Sequence, residues 1–271
     1  MLLVDKKDGI ARVTLNRPDV RNAFDDSLIS RLREAFEEIG GDPSVRAMVL
    51  TGNGPAFCAG ADLNWMKRMA GYGYEDNLAD ANALARMLKT LDRLAKPTIA
   101  RVHGPAYAGG VGLVAACDIA IGSHDAEFCL TEVKLGLSPA TISPYVVRAM
   151  GARLARRYFL TGEVIDAGEA YRLRLLSEVA PKEELDGAVN ALLGHLVIGG
   201  RAAHAKIKDL IRAVSTAPAD DEMIADTAAR IAEIRVSPEG REGIASFLEK
   251  RKPSWVKQFE AVRVKPPRKK K

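Results

Sequence analysis

Thr98-Ile99-Ala100-Arg101-Val102-His103-Gly104-Pro105-Ala106-Tyr107-Ala108-Gly109-Gly110-Val111-Gly112-Leu113-Val114-Ala115-Ala116-Cys117-Asp118-Ile119-Ala120-Ile121 is the stretch on which the fold turns. Thr98–Val102 reads as a strand, Gly104–Gly112 as a glycine-rich turn, Leu113–Cys117 as part of a short helix, and Asp118–Ile121 as a second strand. A helix between successive strands is the signature of a parallel crossover, since an antiparallel return needs only a tight turn. The same alternation extends outward. Arg46–Thr51 is a short apolar strand, and a long helix is predicted over 76–95 with Leu84, Leu88, Leu91 and Ala95 as its inner stripe. Pro97 closes that helix by pushing the preceding residue out of the α region. Downstream, Phe128 opens an extended segment that ends near Thr131-Glu132. Strands therefore alternate with helices over 45–135, which predicts an α/β fold of parallel crossover units.

Towards the N-terminus, residues 2–4 and 10–15 read as a hairpin around Lys7-Asp8-Gly9, closed by the turn Asn16-Arg17-Pro18. Asp25, Asp26 and Ser27 offer N-caps for a helix with Leu28, Leu32, Ala35, Phe36 and Ile39 on one face, which Gly40 and Gly41 end. From about 142 the chain becomes mostly helical, over 144–150, 152–160, 166–174, 183–198, 202–214, 219–235 and 239–250. This predicts a core over 1–199, a helical region over 200–262 and a basic tail over 263–271. The tail has no apolar face to bury and is expected to be disordered.

Composition excludes several classes. No apolar run approaches the roughly 18 residues of a membrane span, and Met1–Asp5 lacks a signal-peptide layout. A cytoplasmic location and no membrane partner are the expectation. Three cysteines, Cys58, Cys117 and Cys129, and four scattered histidines make neither a disulfide framework nor a zinc pattern, so no metal is expected. The net charge of +5 and pI near 9.1 fit a phosphate-bearing ligand, but fit nucleic acid or no specific partner as well.

Three segments carry the chemistry. Phe57-Cys58-Ala59-Gly60-Ala61-Asp62 and His103–Gly112 both follow strands and lead into helices, with Asp62 able to cap the next one. Their small residues let a ligand approach main-chain N–H groups, as an oxyanion hole requires. As bare loops, their glycines serve tight turns and helix packing equally well. Neither has the Gly-Lys-Ser/Thr of a Walker loop, and the second lacks the spacing of a dinucleotide fingerprint. The third segment is Phe128–Pro139. There Glu132 has apolar neighbours that would raise its pKa towards acid/base use, while a surface pairing with Lys134 is the other reading.

Together the three segments resemble the crotonase (enoyl-CoA hydratase/isomerase) superfamily. The likeness runs from Val13-Thr14-Leu15-Asn16-Arg17-Pro18 and Asn22-Ala23-Phe24 to Phe247-Leu248-Glu249-Lys250-Arg251-Lys252. Thr131–Leu137 and Pro139–Val147 are similar in particular to bacterial methylglutaconyl-CoA hydratases and their isohexenylglutaconyl relatives. The resemblance implies a crotonase-like spiral of ββα units with C-terminal helices that build a homotrimer or a hexamer. It implies an acyl-CoA substrate, as in leucine or fatty-acid breakdown, no cofactor beyond that CoA, and no nucleic-acid partner. It assigns the thioester-oxygen contacts to the N–H groups of Ala61 and Gly109 and the acid/base role to Glu132. It places CoA near Arg21, Ala23, Ala59, Asp62 and Leu63, counts Gly110 and Pro139 among the substrate- or CoA-binding residues, and makes Lys250 a candidate phosphate contact from a neighbouring subunit.

One departure stands out. Hydratases of the family use two glutamates, and the first falls on Gly112. Glu132 could then serve alone in a syn addition, helped by a substrate carboxylate. It could instead shuttle a proton between C2 and C4, as the family's isomerases do, or Asp80, Tyr74 or Tyr107 could replace the missing group. Asp118 and His103 read as structural, and Ser138 and Thr141 as either pocket lining or caps. A binding protein on the same scaffold is the alternative from another class.

Overall fold

The computed structural model describes residues 1–256, so the tail expected over 263–271, with the last residues of the helical region, lies outside them. The described residues group into two compact units. The first comprises Met1–Leu94 and Thr98–Val189, and the second comprises Ala95–Pro97 and residues 190–256. The division thus falls at 189/190, where the sequence suggested 199/200.

The first unit is built on β1 (Leu2–Lys7), β2 (Ile10–Leu15), β3 (Ala47–Gly52), β4 (Thr98–Val102), β5 (Ala106–Tyr107), β6 (Ile119–Ser123), β7 (Glu127–Cys129), β8 (Val164–Asp166) and β9 (Glu178–Ala180). A six-stranded sheet has the order β1-β2-β3-β4-β6-β9, antiparallel at β1-β2 and parallel from β2 on. A smaller sheet has the order β5-β7-β8. Isolated parallel bridges Cys58–Ala106 and Phe24–Ala61 continue its ladder. Each turn of the chain gives one strand to the large sheet, one segment to the small one, and then a helix. This is the spiral of ββα units that the resemblance implied.

The helices that close the first turns are α1 (Asp26–Gly41), α2 (Leu63–Met69), α3 (Tyr74–Asp92), α4 (Gly109–Ala116) and α5 (Ser143–Met150), followed in the chain by α6 (Ala152–Thr161), α7 (Ala167–Arg172) and α8 (Leu185–Leu196). β3 is almost wholly buried, as a parallel strand covered on both faces must be. Asp25 caps α1 by accepting from Leu28 N–H at 2.7 Å, and the stripe from Leu28 to Ile39 is buried beneath it.

Three expectations need correction. Gly40 and Gly41 lie inside α1, whose cap is Asp42. α3 ends at Asp92, so Ala95 is outside it and exposed, and Met87 joins Leu88 and Leu91 in the buried stripe. The glycine-rich segment is not a turn up to Gly112. It is already helical from Gly109, because close packing against neighbouring backbone compensates the poor helix propensity of glycine.

In the second unit, α9 (Arg201–Val214), α10 (Asp221–Val236) and α11 (Pro238–Leu248) pack together. The Glu239 carboxylate accepts from the Ala202 and Ala203 N–H groups at 3.1 and 2.9 Å, capping α9. Ile207, Ile211, Ile231, Phe247 and Leu248 remain exposed on these helices. Among the described residues no helix is long and apolar enough to cross a membrane.

Candidate active site

The site begins with hydrogen bonds of the backbone. Phe24 N–H donates to Gly60 O at 2.7 Å, and Asp62 N–H donates to Phe24 O at 2.8 Å. This bridge uses the carbonyl before Ala61 and the amide after it. The N–H of Ala61 itself points away from Phe24 and meets no acceptor among the described residues. Gly109 is the first residue of α4, where the amide lacks an intrahelical acceptor. It too borders Phe24, since a Cβ on Gly109 would lie 2.7 Å from that ring. A Cβ on Gly60 would meet Ala108 Cβ and Tyr107 O at 3.2 Å, so the two loops are joined main chain to main chain.

Ala108 makes the turn between them. Its N–H donates to Cys129 O at 2.8 Å, and its φ of 47° with ψ of −116° is a conformation that a residue with a Cβ seldom adopts. Such backbone costs about 1–3 kcal/mol and persists only where its surroundings enforce it. Here it swings the chain from β5 directly into α4 and presents the first-turn amides at a helix N-terminus, which favours negative charge.

The pairing of β5 with β7 sets Cys129 beside Tyr107, and Glu132 follows in the 3-10 turn Thr131–Leu135. Gly136, at φ 70°, closes that turn, and Leu137 N–H donates to Glu132 O at 3.0 Å. The carboxyl oxygen Oε2 of Glu132 is buried and has no hydrogen-bond partner. Burial pushes the pKa of the carboxyl up. A carboxyl with one buried oxygen left free can accept and return a proton, and no ion pair with Lys134 forms among the described residues.

Position 112 is closed. Gly112 is buried, and a Cβ there would lie 2.9 Å from Ile142 Cβ, closer still to Ile142 Cγ2, and 3.7 Å from Leu88 Cδ1. None of the suggested replacements occupies that place. Tyr74 is 76% exposed. The Tyr107 hydroxyl donates to Glu127 Oε2 at 3.1 Å. Burial raises the pKa of Asp80 as well, but Asp80 precedes Leu88 by eight positions on α3, about 12 Å along the axis. It lines a cavity of about 260 Å³ between α1 and α3 with Asp26, Ser30, Arg33 and Arg86.

The other predicted residues fall into several groups. Arg21, Ala23, Ala59, Asp62 and Leu63 come together, since residues 21–24 run along 59–62 and Ala59 N–H donates to Arg21 O at 3.0 Å. Leu63 is exposed, whereas the Asp62 carboxylate is occupied by Asn64 N–H at 2.8 Å and Arg17 Nη2 at 2.9 Å. Gly110 packs its Cα against Cys58, and Pro139 is buried beyond the Glu132 turn. Lys250 follows α11 in the second unit, exposed, at φ 52°. Ser138 is exposed and Thr141 half-buried. Asp118 Oδ2 accepts from Thr98 N and Oγ1 at 2.8 and 2.9 Å, and His103 Nε2 lies 3.0 Å from Gly54 O. Both are structural, as their positions at strand ends suggested.

Two contributors were missed. Arg17 holds the loops by donating to Ala23 O at 2.6 Å and pairing with Asp25 and Asp62. An arginine at the turn before two motif aspartates, Asp25 and Asp62, was the available signal. Ile142 had none, since its contact with Gly112 crosses thirty positions. Among the described residues no three His, Cys, Asp or Glu side chains could hold a metal ion.

The family described as Enoyl-CoA hydratase/isomerase matches residues 5–258. A solved enoyl-CoA hydratase from Shewanella pealeana is 44% identical, with a TM-score of 0.92 over 94% of this chain and 95% of that one. An enoyl-CoA hydratase of Alternaria alternata is 36% identical over 94% of this chain and 83% of its own length. One of Mycobacterium tuberculosis is 32% identical over 93% and 95%.

Proposed function

The chain belongs to the enoyl-CoA hydratase/isomerase family, and from that premise we propose that it adds water across the C2–C3 double bond of a short or branched 2-enoyl-CoA of the methylglutaconyl kind. The observation that carries the reading is the buried Oε2 of Glu132, which has no hydrogen-bond partner, in the turn that follows β7, the strand paired with the β5 that leads to the Gly109 amide.

The two N–H groups polarise the thioester carbonyl, and each such donor lowers the barrier by about 3–4 kcal/mol. The Glu132 carboxylate takes a proton from water while the water oxygen bonds to C3. The electron pair of the C2–C3 bond moves onto the thioester oxygen as an enolate. When the enolate collapses, C2 takes the proton from the Glu132 carboxyl, so one water is added and Glu132 is regenerated. A raised pKa supports this double use, because base and acid forms must both be reachable near neutrality. With Gly112 unable to share the work, a substrate carboxylate of the glutaconyl type would help to hold the water.

On this reading Arg21, Ala23, Ala59 and Leu63 receive the CoA moiety, and Asp62 shapes its loop through Arg17 and the cap of α2. Gly110 and Pro139 border the acyl group, and Lys250 of a neighbouring subunit meets phosphate. The exposed apolar residues of α9 to α11 support assembly into trimers, or hexamers of two trimers. The chemistry asks for no metal or redox cofactor.

Incubation with crotonyl-CoA, 3-methylglutaconyl-CoA and a 3-enoyl-CoA, followed by mass, tests the proposal. A gain of one water from a 2-enoyl substrate is expected. A shifted double bond at constant mass, with no hydration, would replace it by isomerisation on the lone Glu132.

A further inference from the structure

Gly112 lies in the first turns of α4, and Ile142 immediately precedes α5, which packs on α4. Both residues are buried, and Ile142 is only 1% exposed. The Ile142 side chain occupies the space that any Cβ at 112 would need. The overlap involves Cβ itself, so no choice of rotamer relieves it. Neither Ile142 Cβ nor Cγ2 is the far end of a flexible chain, and Leu88 Cδ1 would be in ordinary contact at 3.7 Å. Position 112 is therefore a packed apolar contact that leaves no room for the Cβ from which a carboxylate side chain would start.

We infer that Ile142 is the residue that commits this site to a single carboxylate: by filling the space over Gly112 it excludes a second acid/base group and leaves Glu132 as the only one. Ile142 is a specificity-determining residue and touches no reacting atom. The inference rests on the proposed hydratase chemistry for its catalytic part, while its packing part is read independently of activity.

The test is a pair of double-mutant cycles on the full chain. Ala is a better helix former than Gly, so in open space Gly112→Ala raises the thermal midpoint. Here it is expected to lower it by roughly 3–10 °C through overpacking. In the Ile142→Gly background, where both obstructing atoms are gone, the same substitution is expected to raise it. For activity, Gly112→Glu with Ile142→Gly is expected to hydrate crotonyl-CoA at least about tenfold faster than Ile142→Gly alone. A Gly112→Ala chain as stable as the natural one would overturn the inference. So would a midpoint cycle that reverses as expected with no gain in hydration from the added carboxylate. A natural chain inert towards all 2-enoyl-CoA substrates would instead overturn the proposed function, and the midpoints would still decide the packing relation.

Discussion

Arg17 and Asp62 are joined by an ion pair of 2.9 Å that clamps the turn after β2 onto the start of α2. Asp62 is the N-cap of that helix and the neighbour of Ala61, so the pair fixes the direction of one amide of the candidate oxyanion hole. Burial opposes the charge on Asp62, but hydrogen bonds from Asn64 and Trp65 N–H and from Arg17 outweigh it and hold the carboxyl below its ordinary pKa. Arg17→Ala is expected to lower stability by about 3 kcal/mol, because it strands a buried carboxylate. Arg17→Lys should recover little of it, since a lysine cannot reach Ala23 O, Asp25 and Asp62 with one fork. Urea unfolding of both variants checks this, and equal stability of Arg17→Lys and the natural chain would refute the clamp.

Glu132 predicts a conflict between stability and activity. Its folded pKa is raised by burial above the ordinary 4.5, so the native state holds the proton more tightly than the unfolded chain. Stability therefore declines as pH rises through the window from 4.5 to the raised value. Glu132→Gln removes that loss. It should be more stable than the natural chain at neutral pH and lose the advantage below the ordinary carboxylate range. Its kcat should fall by about 10²- to 10⁴-fold. Unfolding midpoints against pH, together with hydration rates, test both halves.

His103 carries the opposite sign. Burial and the nearby charges of Arg101 and Lys182 lower its pKa from 6.5, although its contact with Gly54 O works the other way. The unfolded chain then takes up a proton more readily than the folded one. Stability is complete above about 6.5 and is lost as pH falls from there to the depressed value. His103→Gln should flatten that part of the stability curve between pH 7 and 5. An unchanged slope would show that His103 does not titrate differently in the two states.

Ala108 predicts a gain. Its backbone at φ 47° and ψ −116° suits glycine. Ala108→Gly should stabilise by about 1 kcal/mol, measured by urea unfolding. If the strain holds the Gly109 amide in place, kcat should fall in the same variant while KM changes little.

The alternation of strands and helices was legible because buried parallel strands are written as unbroken apolar runs, as in Ala47–Leu50. Asp25 and Asp62 could be read as caps because the capping bond spans only three or fewer positions. The start of α4 was not legible. Glycine at 109, 110 and 112 reads locally as turn, and what makes it helical is contact with Phe24, Cys58 and Ile142 from distant segments. The Glu132 loop was readable in kind, since its apolar neighbours predicted the raised pKa. The occupancy of position 112 was not, because a single sequence records which residue is absent and says nothing of what has moved into its place.

The closeness of Gly112 and Ile142 also bears on how such a chain can change. A glutamate arriving at 112 by itself meets an occupied volume, and the protein would fail before any new chemistry could be selected. A route to two carboxylates has an order: residue 142 must shrink first, with no immediate advantage. The contact therefore acts as a ratchet, and descendants of this chain are more readily driven to refine one-glutamate chemistry than to gain a second carboxylate.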